Sequence, residues 1–178
     1  MKPKILMHIC CAPDAVAAIP ELMPTFEVAG FFFNPNITTA AEYDLRYAEE
    51  ERLAKLQGYD LLAAEYDSGK WLDMIKGLEN EPEGGERCRI CFQYRFDATA
   101  KKAASQGYGY FGTVLTNSPH KDNELINSIG REVGASNNVS YFRSNFKKHG
   151  GFHKSVLLSK EYKLHRQNYC GCDFSKRK

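Results

Sequence analysis

The sequence predicts an α/β domain built on a single doubly wound, mostly parallel sheet of the Rossmann-like type. Short apolar runs alternate with longer amphipathic segments along the whole chain, the pattern of strands covered by helices on both faces. The first run passes through a Cys-Cys-Ala-Pro turn straight into a helix. The 178 residues, 43% hydrophobic and 26% charged, suit one substantial core. The expectation is one domain over 1–178 with a basic, cysteine-containing C-terminal segment.

Lys4 to Ile9 reads as a strand, and Asp14 to Met23 as a helix with an acid in its first turn, where the helix dipole favours it. Val28 to Phe33 is a second strand, ended by Asn34-Pro35-Asn36. Ala40 to Gln57 is an amphipathic helix stopped by Gly58. Asp60 to Ala64 is a short strand and Trp71 to Leu78 a helix, broken by the Pro and Gly of 79–85. Helices over Cys88 to Ala104, Asn123 to Val133 and Phe152 to Gln167 then alternate with strands over Tyr108 to Leu115 and Val139 to Phe142. In such a sheet ligands gather beyond the carboxyl ends of the strands, so Cys10 and Cys11, Asn34 to Asn36 and Thr113 to Lys121 are expected to share one pocket.

No apolar run is long enough to cross a bilayer, and His8 interrupts Ile5-Leu6-Met7 before a signal-peptide core is complete. The expected location is cytoplasmic, without membrane attachment. Six cysteines there point to metal ligation or redox chemistry instead of structural disulfides, and they fall in three tight pairs. The net charge of +2 hides a basic C-terminal quarter: residues 141–178 carry ten Lys or Arg against Glu161 and Asp173. That asymmetry suits a polyanion, or equally a solvated face.

Cys88-x-x-Cys91 has a spacing shared by zinc, iron–sulfur and dithiol sites. Adjacent Cys10 and Cys11 are poorly placed to share one small tetrahedral ion, whereas neighbouring irons of a cluster can take one thiolate each. The four together supply the count for a 4Fe-4S cluster, with a structural zinc site as the rival. Cys170-Gly-Cys172, near the chain end on a segment expected to be loosely held, reads as a redox pair, as two further metal ligands, or as neither. Asp14 is suited to capping its helix, to ligating metal or to donating a proton. Ser118, His120 and Lys121 follow a hydroxyl- and amide-rich segment suited to a polar or phosphorylated ligand, or form a Ser-Pro turn. Lys147 and Lys148 lie in Phe146-Lys-Lys-His-Gly-Gly-Phe-His-Lys154, which mixes cations, aromatics and glycines as single-stranded nucleic-acid binders do.

The motifs His8-Ile-Cys10-Cys11-Ala-Pro13, Phe33-Asn34-Pro35-Asn36-Ile37, Arg87-Cys88-Arg-Ile-Cys91-Phe92, Thr113 to Lys121, Phe146 to Gly151 and Tyr169-Cys170-Gly-Cys172 together resemble the QueH type of epoxyqueuosine reductase. The resemblance implies reduction of epoxyqueuosine to queuosine at the wobble position of tRNA, drawing on an unidentified electron donor. It also implies a nucleotide-binding fold related to the ATP-pyrophosphatases (the HUP group). Carried over by position, it places cluster ligation on Cys10, Cys11, Cys88 and Cys91 and a redox-active disulfide on Cys170 and Cys172. Asp14 stands where many relatives have another cysteine and is a candidate proton donor or ligand to an additional mononuclear iron, and Asn34, Asn36, Ser118, His120, Lys121, Lys147 and Lys148 are expected substrate and tRNA contacts. His8 to Asp14 stands where ATP-cleaving relatives carry a glycine-rich phosphate loop, so ATP cleavage is not expected. The alternatives are an ATP-dependent tRNA-modifying enzyme on the same fold and a zinc-stabilised RNA-binding module.

Overall fold

The computed structural model describes residues 1–176; Arg177 and Lys178, the end of the basic segment, lie outside them. Five parallel strands form one sheet in the order β3-β2-β1-β4-β5, with β1 Lys4–His8, β2 Glu27–Phe32, β3 Asp60–Ala63, β4 Tyr110–Thr113 and β5 Ser140–Tyr141. Six helices connect or flank them: α1 Ala12–Leu22, α2 Ala40–Gln57, α3 Gly69–Met74, α4 Glu86–Ser105, α5 Asn123–Asn137 and α6 Gly151–Glu161. This is the doubly wound arrangement the alternating pattern predicts.

The near-continuous apolar character of β1 follows from burial on both faces. Ile5 and Met7 pack into a core with Ala15, Ile19 and Leu53 from α1 and α2, together with Val114. Leu6 points the other way, joining Phe92, Phe96, Ile126 and Ile129 from α4 and α5. Winding therefore runs outward from β1 in both directions, and the carboxyl ends of β1 and β4 part at the switch point between the two halves.

Local chemistry moves several boundaries. The β4 region is shorter than its apolar run, because Thr113 caps a 3-10 turn over Val114–Asn117 by accepting from Leu115 N (3.2 Å). The last helix stops at Glu161, well before Gln167. Lys163 there adopts φ 52°, Leu164 N donates back to Ser159 O (2.8 Å), and Arg52 of α2 donates to the carbonyls of Tyr162 and Lys163. Those side-chain bonds satisfy the final carbonyls in place of another helical turn. Gly151, at the start of α6, lies so close to the carbonyl of Phe146 that a Cβ would overlap it. Among the described residues no helix is long and apolar enough to cross a membrane.

Helix α2 buries two charges on its core face. Glu50 is fully buried, and its Oε1 accepts from Tyr59 Oη (2.5 Å). Burial lifts its carboxyl to about 7 from the ordinary 4.5. A raised carboxyl adds stability that is fully present below the unfolded pKa and is lost as pH rises through the folded one. Wild-type protein should therefore lose about 3 kcal/mol more than Glu50→Gln between pH 4.5 and 7. Urea unfolding of both proteins at the two pH values checks this, and parallel profiles would contradict it.

Candidate metal and substrate site

The first turn of the site is a strand-to-helix hinge. Pairing with β2 runs one residue beyond β1, through Ile9 N donating to Phe31 O (2.9 Å). Cys11 then serves as N-cap of α1 in an extended conformation, φ −171°, with Pro13 in the first turn, where a missing N–H costs nothing. Successive side chains of a strand point to opposite faces, but a hinge between Cys10 and Cys11 lets theirs converge. The two Sγ atoms lie 3.8 Å apart. Thiolates bound about 2.3 Å from one tetrahedral ion are separated by about this much, so the spacing of these two sulfurs suits a shared ion better than their adjacency in sequence suggests.

Asp14 completes this group. It does not cap α1: its Oδ2 accepts from Cys10 Sγ (3.2 Å) and its Oδ1 from Asn117 Nδ2 (3.5 Å). Donor atoms of Cys10, Cys11 and Asp14 all lie within 4.8 Å of one another. The neighbouring Cys11 thiol, then burial, pushes the Cys10 thiol well up, and burial also raises the Asp14 carboxyl.

Of the other four cysteines, Cys88, Cys91 and Cys172 are buried and Cys170 is half-buried. Cys88 and Cys91 sit three residues apart at the start of α4, on one helix face. Cys91 and Cys172 are buried in one apolar cluster with Trp71 and Ile75. Burial lifts the Cys91 thiol to about 12 and raises that of Cys172, and charge on Cys88 or Cys170 pushes both the same way. All six cysteines are free thiols, so the redox-active disulfide expected between Cys170 and Cys172 is not present.

The segment carrying Cys170 and Cys172 is packed, contrary to the loosely held tail expected. Arg46 of α2, 3% exposed, donates to Cys170 O (3.1 Å) and Tyr169 O (3.2 Å), pairs with Glu42 (2.6 Å) and lies over the Tyr169 ring. Thr38 N donates to Gly171 O (3.3 Å). Gly171, at φ 116°, approaches Ile37 so closely that a Cβ would lie 2.9 Å from its side chain. Only glycine combines that backbone with that contact.

A second buried arginine joins the layers. Arg95 of α4 donates through Nε to His8 Nε2 (3.2 Å), through Nη2 to Asn34 Oδ1 (2.6 Å) and through Nη1 to Cys91 Sγ (3.8 Å). His8 accepts at Nε2, so its Nδ1–H donates to Thr113 Oγ1 (3.0 Å). Burial, followed by the charge of Arg95, holds this imidazole well below its ordinary pKa and therefore neutral. Lys121 is also buried and pairs with Glu83 (2.7 Å).

Over these groups lies a cavity of about 280 Å³. Its wall includes Cys10, Cys11, Asp14, Cys170, Ser118, His120 and Lys121, so chain segments far apart in sequence do meet in one pocket. Phe152, Arg166 and Tyr169 also line it. Cys88, Cys91 and Cys172 lie off the cavity wall, as do Asn34 and Asn36, which are buried. Asn34 donates to Ile9 O (2.8 Å) as well as accepting from Arg95. Lys147 turns inward, donating to Ser118 O and Lys121 O, whereas Lys148 is exposed.

Arg46, Arg95, His8 and Asn117 escape a reading of the sequence for ligands. Two had a signal: Arg95 follows Cys88 and Cys91 at helical spacing, and Arg46 shares the buried face of α2 with Tyr43, Glu50 and Leu53. A charge on an apolar helix face marks a site or a strut.

Fold and pocket together define an α/β domain of the nucleotide-binding type whose switch-point site is built from thiols. The family model for epoxyqueuosine reductase QueH matches residues 5–178. Epoxyqueuosine reductase QueH of Streptococcus pyogenes serotype M1 is 39% identical, over 98% of this chain and 71% of its own length. That of Thermotoga maritima is 35% identical, over 96% of this chain and 89% of its own. The fold is similar to the U34-tRNA thiolase NcsA from Methanococcus maripaludis, solved with its [4Fe-4S] cluster, at a TM-score of 0.64 and 13% identity over 99% of this chain and 62% of that one. The chain belongs to the epoxyqueuosine reductase QueH family, a family of oxidoreductases.

Removing the Arg46 clamp tests the packed C-terminal segment. Arg46→Ala leaves Glu42 and two carbonyls without their partner and should cost about 3 kcal/mol locally. Amide hydrogen exchange over residues 169–176 should accelerate accordingly; unchanged protection there would show that the clamp does not hold the segment.

Proposed function

We propose that the chain reduces epoxyqueuosine in the wobble position of a tRNA anticodon to queuosine. The observation that carries this reading is the cavity lined by Cys10, Cys11, Asp14 and Cys170 in a chain of this family. The donor set fits iron, since thiols with one carboxylate suit iron and iron–sulfur ligation. Cys91 and Cys172 share one buried cluster, and charge on Cys88 or Cys170 acts on both, which favours Cys88, Cys91, Cys170 and Cys172 as holders of a 4Fe-4S cluster. Convergence of Cys10, Cys11 and Asp14 favours them as holders of one additional iron. This regroups the cysteines relative to their spacing, which put Cys10 and Cys11 with Cys88 and Cys91. The cluster in NcsA, on a similar fold, supports iron–sulfur chemistry here. When bound, such iron supplies single electrons and a Lewis-acidic position for the epoxide oxygen.

Converting the epoxide to the alkene consumes two electrons, from a separate donor, and two protons, and releases the oxygen as water. Asp14 presents Oδ2 to the thiol pair and keeps Oδ1 on Asn117, so it can ligate through one oxygen and pass a proton through the other. The neutral, fully engaged His8 supplies none. Ser118, His120, Lys121, Arg166 and Tyr169 on the wall take the modified nucleoside swung out of the anticodon stack. Exposed Lys148 and Lys154 suit the flanking phosphates, Lys147 holds the Ser118–Lys121 wall in shape, and Asn34 and Asn36 support the site from behind.

Anaerobically purified protein should be brown and hold about five irons and four sulfides, and nucleoside analysis of epoxyqueuosine-containing tRNA should show queuosine formed with a chemical reductant. Asp14→Ala should lose about one iron and keep its sulfide, while Cys170→Ser should lose both. A colourless zinc protein would sink the proposal. A Cys170→Ser variant with an intact cluster but no turnover would return Cys170 and Cys172 to the role of redox pair.

A further inference from the structure

The buried cations of the site divide according to their partners. Arg46 has Glu42 and Lys121 has Glu83. Arg87 donates to the carbonyls of Leu78, Glu79 and Glu81 and lies over the Phe174 ring, bracing the turn before α4. Arg95, like Arg87, is 1% exposed with no carboxylate pairing with it among the described residues, but it differs in donating to a cysteine sulfur. Two of its partners, His8 Nε2 and Asn34 Oδ1, are neutral, and the third is the sulfur of Cys91. A buried guanidinium without an anion is expensive, and neutral acceptors orient it without balancing its charge. The groups on which that charge acts are Cys91, Cys170 and Cys10, members of both thiol sets.

We propose that Arg95 is the internal counter-cation of the iron–sulfur site, a positioning residue whose fixed charge between the two thiol groups retains the metal and favours the reduced cluster. This rests on the iron–sulfur reading above. A cluster on four thiolates carries net negative charge, and each electron it accepts adds to that charge. A cation held beside it by an N–H to sulfur contact therefore stabilises the reduced form over the oxidised one and raises the reduction potential, as hydrogen bonds and charge near such clusters do. The fork makes the charge immobile: His8 on β1, Asn34 after β2 and Cys91 on α4 each fix one nitrogen. The structure thus assigns Arg95 to reduction of the cluster, with no contact to substrate, since it lies off the cavity wall.

The test uses reconstituted wild-type protein, Arg95→Gln and Arg95→Lys. The measurements are the cluster midpoint potential, by redox titration followed by electron paramagnetic resonance, and the rate at which a chelator strips iron. In Arg95→Gln the potential should fall and iron should leave about 10- to 100-fold faster. Arg95→Lys, which keeps the charge but loses the planar fork, should hold the wild-type potential with stripping in between. A purely structural fork would weaken folding and leave the potential unmoved, so a wild-type potential in Arg95→Gln overturns the proposal. A fall in Arg95→Lys as large as that in Arg95→Gln overturns it too. Where circular dichroism shows that Arg95→Gln does not fold, Arg95→Lys decides: a held potential supports the charge and a lowered one overturns it. Wild-type protein that takes up no iron and sulfide would instead bring down the iron–sulfur reading, and this inference with it.

Discussion

Winding the sheet in both directions from β1 forces the helices that follow β1 and β3 onto opposite faces, and the carboxyl ends of β1 and β4 are left to part. Everything chemical in the molecule is arranged around that opening. His8 ends β1 and Thr113 ends β4, paired with each other in the sheet, and their side chains bond at the foot of the opening. Arg95 reaches the same point from α4 and Asn34 from the loop after β2. A doubly wound sheet always has such a crevice. Here the strand-to-helix hinge fills it with two thiols and a carboxyl.

The choice has an electrostatic logic. The amino end of a helix favours negative charge and lowers the cost of forming thiolate, and α1 begins at Cys11. Against this, the Cys11 thiol and burial raise Cys10, and burial raises Cys91 and the Asp14 carboxyl, so each is harder to deprotonate than in water. A site poised this way releases protons when metal binds. Buried cations at its margins, Arg95 and Lys121, favour the deprotonated ligand set once it forms.

The C-terminal segment is the other half of the site, brought in by two buried arginines. Arg46 grips Tyr169 and Cys170 through their carbonyls, and Arg87 stacks on Phe174 while bracing the turn before Cys88. Backbone carbonyls are poor identifiers of a partner in sequence, since every residue has one. The clamp nonetheless sets where Cys170 and Cys172 lie, and so which thiols stand together.

The layering of the domain was legible in one dimension, because strand and helix periodicities record which faces are buried, and β1, α2 and α4 announce themselves by it. Cys88-x-x-Cys91 was legible as a ligand pair for the same reason: three residues of helix bring two side chains to one face. The motifs also pointed to the family, which the comparisons bear out. Other features depend on contacts between distant segments and left no local trace. The hinge turns Cys10 and Cys11 toward one point, which adjacency alone argued against. Asn117 draws Asp14 away from helix capping, and Arg46 packs a segment that composition presented as a loose tail. Residue spacing thus determined the layers and the inventory of thiols. Only the tertiary structure decided how those thiols are grouped, because the grouping rests on bonds spanning up to more than a hundred residues of chain, such as Arg46 to Cys170 and Asn117 to Asp14.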